Sequence, residues 1–309
     1  MRLDAIGDYI LFRNVLRFIR ESKKYRDAEI TVFGNPAWRG IAESFDADCA
    51  DKWIWADNRN DLFRKGYENL FPYCLWHRRV RKAQAAWRDK FSGKFDEVLS
   101  LQAFRDQLLD EFVSGLAPVV VNGWELPQGD SPFVFHRNCS IASALTGEKC
   151  NVSLELKVPA INRDGHRVLF FTGASHWTRR WPAWRWRKLR EMVPPGFETV
   201  VAPTGTTLTE FARLVKSCAA VVSNDTMALH VAAALGVPAV GIVNGVSGRH
   251  DFWPYPASLG KKVEVCIPKR IPRLPIPLLG SRLAQYIALS SVSASSVADA
   301  LCRMMGVSS

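Results

Sequence analysis

The sequence predicts an α/β protein in two lobes, each built on a parallel sheet. Short β-branched runs alternate with helical stretches along the chain, the pattern of βα units. The alternation restarts after "LELKVPAINRDGH" (154–166), a polar stretch with Pro and Gly that reads as a linker. The 309 residues suffice for two ordinary domains with a sizeable core. We place the boundary near residue 160, with lobes over 1–160 and 161–309. Two such halves suit an enzyme with its site in the cleft between them.

The first element is a helix from about Tyr9 to Ser22. Ile10, Leu11, Val15, Leu16 and Ile19 fall on one face at helical spacing, and Asp8 stands at the N-cap position. Strands follow at "EITVFG" (29–34), "FDEVLSL" (95–101) and "PVVVNGWE" (118–125). Beyond the linker come "RVLFFTG" (167–173), "ETVVAP" (198–203), "AAVVSND" (219–225) and "PAVGIV" (238–243). "PKRIPRLPIPLLG" (268–280) reads as an extended crossing segment, and "SVADALCRMMG" (296–306) as a closing helix.

Composition narrows the class. No apolar run approaches the roughly 20 residues of a membrane-spanning helix. No basic-apolar-small leader opens the chain, so cytoplasmic residence is the expectation. The seven cysteines are scattered and lack CxxC spacing, which suits thiols in a reducing compartment better than disulfides or zinc. A net charge of +11 asks for a phosphate-bearing partner: nucleic acid, anionic lipid or a phosphorylated ligand. No nucleic-acid-binding motif is visible, so nucleic acid is not expected.

Two stretches can carry chemistry. In "SNDTMALHVAAALGVPAVGI" (223–242) an apolar strand ends in Ser-Asn-Asp-Thr and a small-residue helix follows. Such a turn lies at the carboxyl end of a parallel strand, where open α/β sheets bind ligands. Free N–H groups at the helix start suit a phosphate, although Asp225 or Thr226 equally reads as a plain N-cap. In "FFTGASHWTRRWPAWRWRKLR" (170–190) a strand ends at Gly173, and the loop holds Ser175, His176, Thr178, Arg179 and Arg180 before a helix opened by Pro182. Arginine forks match phosphate oxygens. Trp181, Trp184 and Trp186 read as packing rather than as stacking platforms.

"RLDAIGD" before an amphipathic helix, "TGASHWTRRWP" and "SNDTMALHVAAALGVPAVGI", in this order, resemble glycosyltransferase family nine, the heptosyltransferases of bacterial lipopolysaccharide assembly. "KFDEVLSL" resembles the family's strand before its mid-domain helix. The resemblance implies a GT-B fold, with two Rossmann-like lobes whose parallel sheets face a central cleft. It implies inverting, metal-independent transfer of a sugar, heptose by preference, from a nucleoside-diphosphate donor, ADP-linked by preference, with no cofactor. The acceptor would be a phosphorylated glycolipid or surface glycan. Such chemistry needs a base for the acceptor hydroxyl and cations or N–H donors for the departing diphosphate. By resemblance Asp8 matches the base. Arg179 matches the basic position two residues before Trp-Pro that faces the donor phosphates. Gly173, Ser175, Thr178, Asp225, Thr226, Met227 and His230 match the rest of the donor site.

Three departures from the family pattern set expectations. No strand-like run precedes "RLDAIGD", so the lobe is expected to lack its central first strand through a misassigned start. Met227 stands where relatives carry Gly, which would let backbone approach phosphate closely. The second lobe looks shorter by about one βα unit, roughly 25–30 residues. The alternative reading is therefore a degenerate relative that binds glycan or nucleotide without turnover. Seven Lys/Arg lie within 78–94. They make Arg78, Arg79, Arg81 and Lys82 acceptor-side candidates and suggest attachment to an anionic membrane surface. An amphipathic helix packing through Val80 and Trp87 explains the same stretch.

Overall fold

A computed structural model describes residues 1, 5–56, 73–103, 105, 107–131, 133–159, 165–244, 263–268 and 279–307. The chain divides into two compact units, Met1–Ser153 and Leu154–Ser309. The linker between the alternations is not a loose tether over its described part. Leu154 and Leu156 are buried, and Leu156 donates its N–H to the Ala234 carbonyl at 2.7 Å.

The first unit opens with two helices rather than one: α1 (Ile6–Ile10) and α2 (Arg13–Glu21). The continuous helix expected from periodicity breaks at Leu11–Phe12. The Leu11 carbonyl instead accepts from the Asn138 side-chain amide at 3.1 Å. Asp8 is correspondingly not the N-cap. Ala5 holds that place, and Asp8, in the first turn, reaches back to accept the Ala5 N–H at 2.9 Å. An acidic side chain three positions into a helix can satisfy an orphan N–H this way, so the helix starts earlier than a cap at position 8 implies.

After α2 come β1 (Thr31–Gly34), α3 (Arg39–Phe45) and β2 (Lys52–Trp55). Then follow α4 (Tyr73–Phe91), β3 (Glu97–Ser100), α5 (Gln107–Val113), β4 (Val119–Asn122) and α6 (Val134–Thr146). Among the described residues the strands form two parallel pairs, β1 with β2 and β3 with β4. Phe33, Trp87, Phe91, Leu109 and Phe112 make the core beside them. The lobe's other anchor is ionic: Asp46 is fully buried and receives Arg13 Nη2 at 2.5 Å, Arg13 Nε at 2.9 Å and the Tyr9 hydroxyl at 2.8 Å. Tyr9 also stacks on Trp38, with centroids 4.0 Å apart.

The second unit holds β5 (Arg167–Phe171), α7 (Ala183–Glu191), β6 (Glu198–Val201), α8 (Leu208–Ser217), β7 (Ala220–Asn224), α9 (Met227–Ala234) and β8 (Ala239–Ile242). It continues with β9 (Val263–Cys266), α10 (Leu279–Ser291) and α11 (Ala294–Met305). Among the described residues, five strands form one parallel sheet in the order β6-β5-β7-β8-β9. Numbered within the lobe this is 2-1-3-4-5, a doubly wound order whose direction switches between β5 and β7. β7 and β8 are buried on both faces, as a central parallel strand requires. Trp181 and Trp186 are buried in the core above the sheet, whereas Trp184 is half exposed with the Arg185 guanidinium over its ring at 4.1 Å. The Pro-rich segment 269–278 lies outside the described residues, and a helix, α10, follows it.

Candidate active site

The switch point between β5 and β7 is where two loops diverge above the carboxyl ends of a parallel sheet, leaving a crevice for ligand. One loop is 172–181 and the other 225–226. Both candidate stretches therefore arrive at one place.

Asn224, the last residue of β7, joins them. Its Nδ2 donates to the Thr172 carbonyl at 2.7 Å and to the Gly173 carbonyl at 3.4 Å. Its Oδ1 accepts the Trp181 N–H at 3.0 Å. The side chain is fully buried, so each bond replaces a partner water cannot supply. Asn244, after β8, adds a 3.4 Å bond to the Thr178 carbonyl. Within the loop a short helical turn, Trp177–Arg179, is capped by His176, whose Nδ1 meets the Thr178 hydroxyl at 2.7 Å and accepts the Thr178 N–H at 3.3 Å. Trp177 rests against Tyr286 of α10, with ring centroids 5.5 Å apart.

The second loop is fixed by its own cap. Thr226 is the N-cap of α9: its hydroxyl accepts the Ala228 N–H at 3.3 Å and meets the Ser223 hydroxyl at 3.0 Å. The Asp225 N–H donates to the Ile242 carbonyl at 3.2 Å, which leaves the Asp225 carboxylate over the switch point. There Arg179 Nε lies 3.8 Å from Asp225 Oδ2. Arg180 turns away to the Ala174 carbonyl at 3.0 Å. His176 is held below its ordinary basicity first by burial, then by the charges of Arg282, Arg179 and Arg180. That ordering identifies a cationic surround that includes Arg282 of α10, a residue sequence reading passed over.

Of the expected donor-site residues, Gly173, Ser175, Thr178, Arg179, Asp225, Thr226 and Met227 all lie on these two loops or at the start of α9. Thr178 is buried and contributes to the turn itself. Met227, in the first turn of α9, is only partly buried. His230 is one helical turn further along, on the buried side of α9. Asp8 belongs to the other unit, in α1. Of the acceptor-side candidates, Arg81 and Lys82 are exposed on α4, with Arg81 3.7 Å from Glu111. Arg78 and Arg79 fall on α4, but their side chains lie outside the described residues. Val80 and Trp87 are buried on the same helix, so its apolar face packs while Arg81, Lys82, Arg88 and Lys90 stay exposed. Among the described residues, no helix is long and apolar enough to cross a membrane.

An arginine, a threonine-capped helix and a buried asparagine clamp at the switch point define a doubly wound α/β protein with its polar side chains gathered where such sheets bind ligands. Comparison narrows it. The model for "Glycosyltransferase family 9 (heptosyltransferase)" matches residues 190–267, which include β6 to β9 and the Asp225–Thr226 turn. The search of curated proteins returns no match. Solved structures match across nearly the whole chain. A glycosyl transferase family 9 protein from Veillonella parvula superposes with a TM-score of 0.66 at 18% identity, covering 98% of this chain and 95% of that one. E. coli heptosyltransferase WaaC, solved with ADP-2-deoxy-2-fluoro heptose, gives 0.62 at 15% identity, covering 98% and 99%. E. coli ADP-heptose lps heptosyltransferase II gives 0.59 at 19% identity, covering 98% and 97%. The chain has the GT-B-type α/β fold of these structures, and residues 190–267 of its second unit are similar to the family 9 glycosyltransferases.

Proposed function

We propose that the protein is an inverting, metal-independent glycosyltransferase. In this reading it moves a heptose from an ADP-linked donor to a phosphorylated glycolipid or other bacterial surface glycan. The observation that carries the reading is the Asn224 clamp, which brings Arg179 and the Thr226-capped start of α9 to one switch point. A guanidinium and a helix N-terminus together offset the charge a departing diphosphate develops. The similar E. coli heptosyltransferase WaaC has been solved with ADP and with an ADP-heptose analogue, which supports the nucleotide assignment. Asp8 takes the acceptor proton as its oxygen attacks the anomeric carbon. The exposed basic residues of α4, Arg81 and Lys82 among them, meet acceptor phosphates or an anionic leaflet, a contact that flotation with anionic and neutral vesicles tests.

Asp8→Asn tests the central claim. Its side-chain oxygen can still accept the Ala5 N–H, so folding is retained, while the base is gone. Release of ADP from ADP-heptose in the presence of acceptor should fall by roughly 100-fold or more, the scale of general-base catalysis. Equal turnover by both proteins would sink the assignment. The second reading is a binding protein without turnover, favoured by Met227 in place of Gly and by the Arg179–Asp225 pair that already satisfies both charges. It predicts ADP binding by calorimetry and no ADP release from either protein.

A further inference from the structure

The seven cysteines are scattered in sequence, yet the fold brings two of them together. Cys139 lies on α6, and Gly147 ends that helix in the left-handed conformation, with φ at 73°. The chain thereby turns back along the helix it has just left. Thr146 secures the turn, its hydroxyl oxygen accepting the Glu148 N–H at 3.2 Å. Ser143, one helical turn after Cys139, joins the helix to the returning chain. Its hydroxyl donates to the Cys139 carbonyl at 2.9 Å and accepts the Cys150 N–H at 2.9 Å. Across that bridge the Cys139 and Cys150 thiols hydrogen-bond to each other, and both are free.

We propose that Cys139 and Cys150 are a redox-active dithiol, a site at which hydrogen peroxide closes a reversible disulfide across the C-terminal end of the first unit. Thiols in hydrogen-bond contact are within reach of the roughly 2.0 Å sulfur–sulfur bond, whereas cysteines held far apart need backbone movement. The pair is also polarised. The bond from Cys139, opposed by burial and helped by the Val152 N–H, holds the Cys150 thiol below its ordinary pKa. The same bond first, then burial, pushes the Cys139 thiol up. Cys150 therefore gives up its proton first and is the nucleophile, while Cys139 resolves. Cys49, Cys266 and Cys302 differ, because burial raises each of those thiols. Cys150 is only 8% exposed, which favours a small oxidant over a bulky disulfide.

The Cys150 thiolate attacks one oxygen of hydrogen peroxide. A sulfur–oxygen bond forms, the oxygen–oxygen bond breaks, and the departing hydroxide takes a proton to become water. Cys150 is then a sulfenic acid. The Cys139 sulfur attacks the Cys150 sulfur, the disulfide forms, and the sulfur–oxygen bond breaks. Hydroxide leaves with the Cys139 proton as a second water. Two thiols and one peroxide give one disulfide and two waters, and the sulfurs lose the two electrons that the peroxide gains. A dithiol reductant reverses the change.

The disulfide bears on α2. The chain after α6 straps that helix and the turn behind it: the Glu148 carboxylate accepts the Lys23 N–H at 2.7 Å, and the Ser153 carbonyl accepts the Asn14 amide at 2.6 Å. A bond from Cys139 to Cys150 pins the strap to α6, whose Asn138 already holds the Leu11 carbonyl. Closing that loop removes open conformations, so the strap opens less often.

Trypsin cuts after Arg137, Lys149 and Lys157, so the two cysteines leave on separate peptides, 138–149 and 150–157, each with one cysteine. The native full chain is treated with hydrogen peroxide, its remaining thiols are alkylated, and the digest is read by mass spectrometry. The two peptides should appear joined, two hydrogens lighter than their sum, from a chain that runs as a monomer on a non-reducing gel. Dithiothreitol should part them. They should join at roughly tenfold or more the rate of any other cysteine pair. In Cys139→Ser, dimedone should label Cys150 as its sulfenic acid; in Cys150→Ser, Cys139 should stay unlabelled. Amide exchange over 148–153 should slow by about tenfold in the oxidised chain and in neither treated variant. Joining no faster than other pairs, joining only between chains, or joining only after unfolding in urea overturns the proposal, and these readouts need no variant. Labelling of Cys139 in Cys150→Ser as fast as of Cys150 in Cys139→Ser overturns the assigned nucleophile, and unchanged exchange in the joined chain overturns the strap.

Discussion

The Asn224 side chain holds the main chain of Trp181: its Oδ1 accepts the Trp181 N–H at 3.0 Å, while its Nδ2 holds Thr172 at 2.7 Å. Asn224→Ala strands one buried N–H and one buried carbonyl. Each costs about 1–3 kcal/mol when left unpaired, so denaturant unfolding should show a loss of roughly 2–6 kcal/mol. The loop bearing Arg179 is released at the same time, and calorimetric affinity for ADP should fall at least tenfold. Asn224→Asp keeps the acceptor but sets a buried carboxylate against the Thr172 and Gly173 carbonyl oxygens, so it should lose at least as much stability as Asn224→Ala.

Arg179 and Asp225 separate ligand binding from stability. Their side chains are 36% and 17% exposed, and such a pair contributes only about 0–1 kcal/mol to folding. Arg179→Ala should therefore leave thermal unfolding nearly unchanged while weakening ADP binding by roughly tenfold or more. Arg179→Lys should restore part of the affinity, because a point charge replaces a planar fork. A melting-temperature loss matching that of Asn224→Ala would show that the pair is structural.

His176 supplies a pH signature. Burial and the charges of Arg282, Arg179 and Arg180 hold it below its ordinary value of 6.5, and Thr178 is its direct hydrogen-bond partner. The folded state thus takes up its proton less readily than the unfolded state. Its contribution to stability is full above about pH 6.5 and is lost as pH falls below it. A bound diphosphate offsets the neighbouring cations and raises the His176 pKa. ADP affinity should consequently increase as pH falls from 8 toward 6, with proton uptake on binding. NMR titration of the His176 ring with and without ADP checks the direction. An unchanged midpoint would place the phosphates elsewhere.

How far the sequence foretold this follows from where each signal resides. Seven strands announced themselves as apolar runs, and both site loops were found because each follows such a run. β2 ("KWIW") and β9 ("VEVC") were not: β2 is mostly tryptophan rather than a β-branched run, and Glu264 breaks the apolar run of β9 in its middle. The break between α1 and α2 was invisible because Asn138, which takes the freed carbonyl, lies 127 residues away. Asp8 was read one function too simply for a local reason: its N–H partner lies behind it in sequence, not ahead. Asn224 did leave a trace, an amide ending the apolar run "AAVVSND", where a buried polar group needs partners. The Arg282 contribution left none, since only the packing of α10 against the 177–179 turn brings it near His176.

Asp46 sets the last expectation. It is fully buried, bound by Arg13 through two nitrogens and by the Tyr9 hydroxyl, and Tyr9 in turn belongs to α1 beside Asp8. Burial, with the Asp46 charge second, raises the Tyr9 phenol well above its ordinary pKa, so it stays a donor across the working range. Asp46→Asn leaves the Arg13 guanidinium without its counter-charge in the core, and removing one partner of a buried pair costs about 3–5 kcal/mol. Tyr9→Phe removes only the phenol's bond, leaves the ring on Trp38 and keeps the Arg13–Asp46 pair. Its loss should be near 1–2 kcal/mol, within the range for a hydrogen bond to a charged group. If α1 positions a catalytic Asp8, Tyr9→Phe lowers turnover more than it lowers ADP affinity, because the loops that carry Arg179 and Thr226 belong to the other unit. Equal losses in turnover and in ADP affinity would mean that the network supports only the fold.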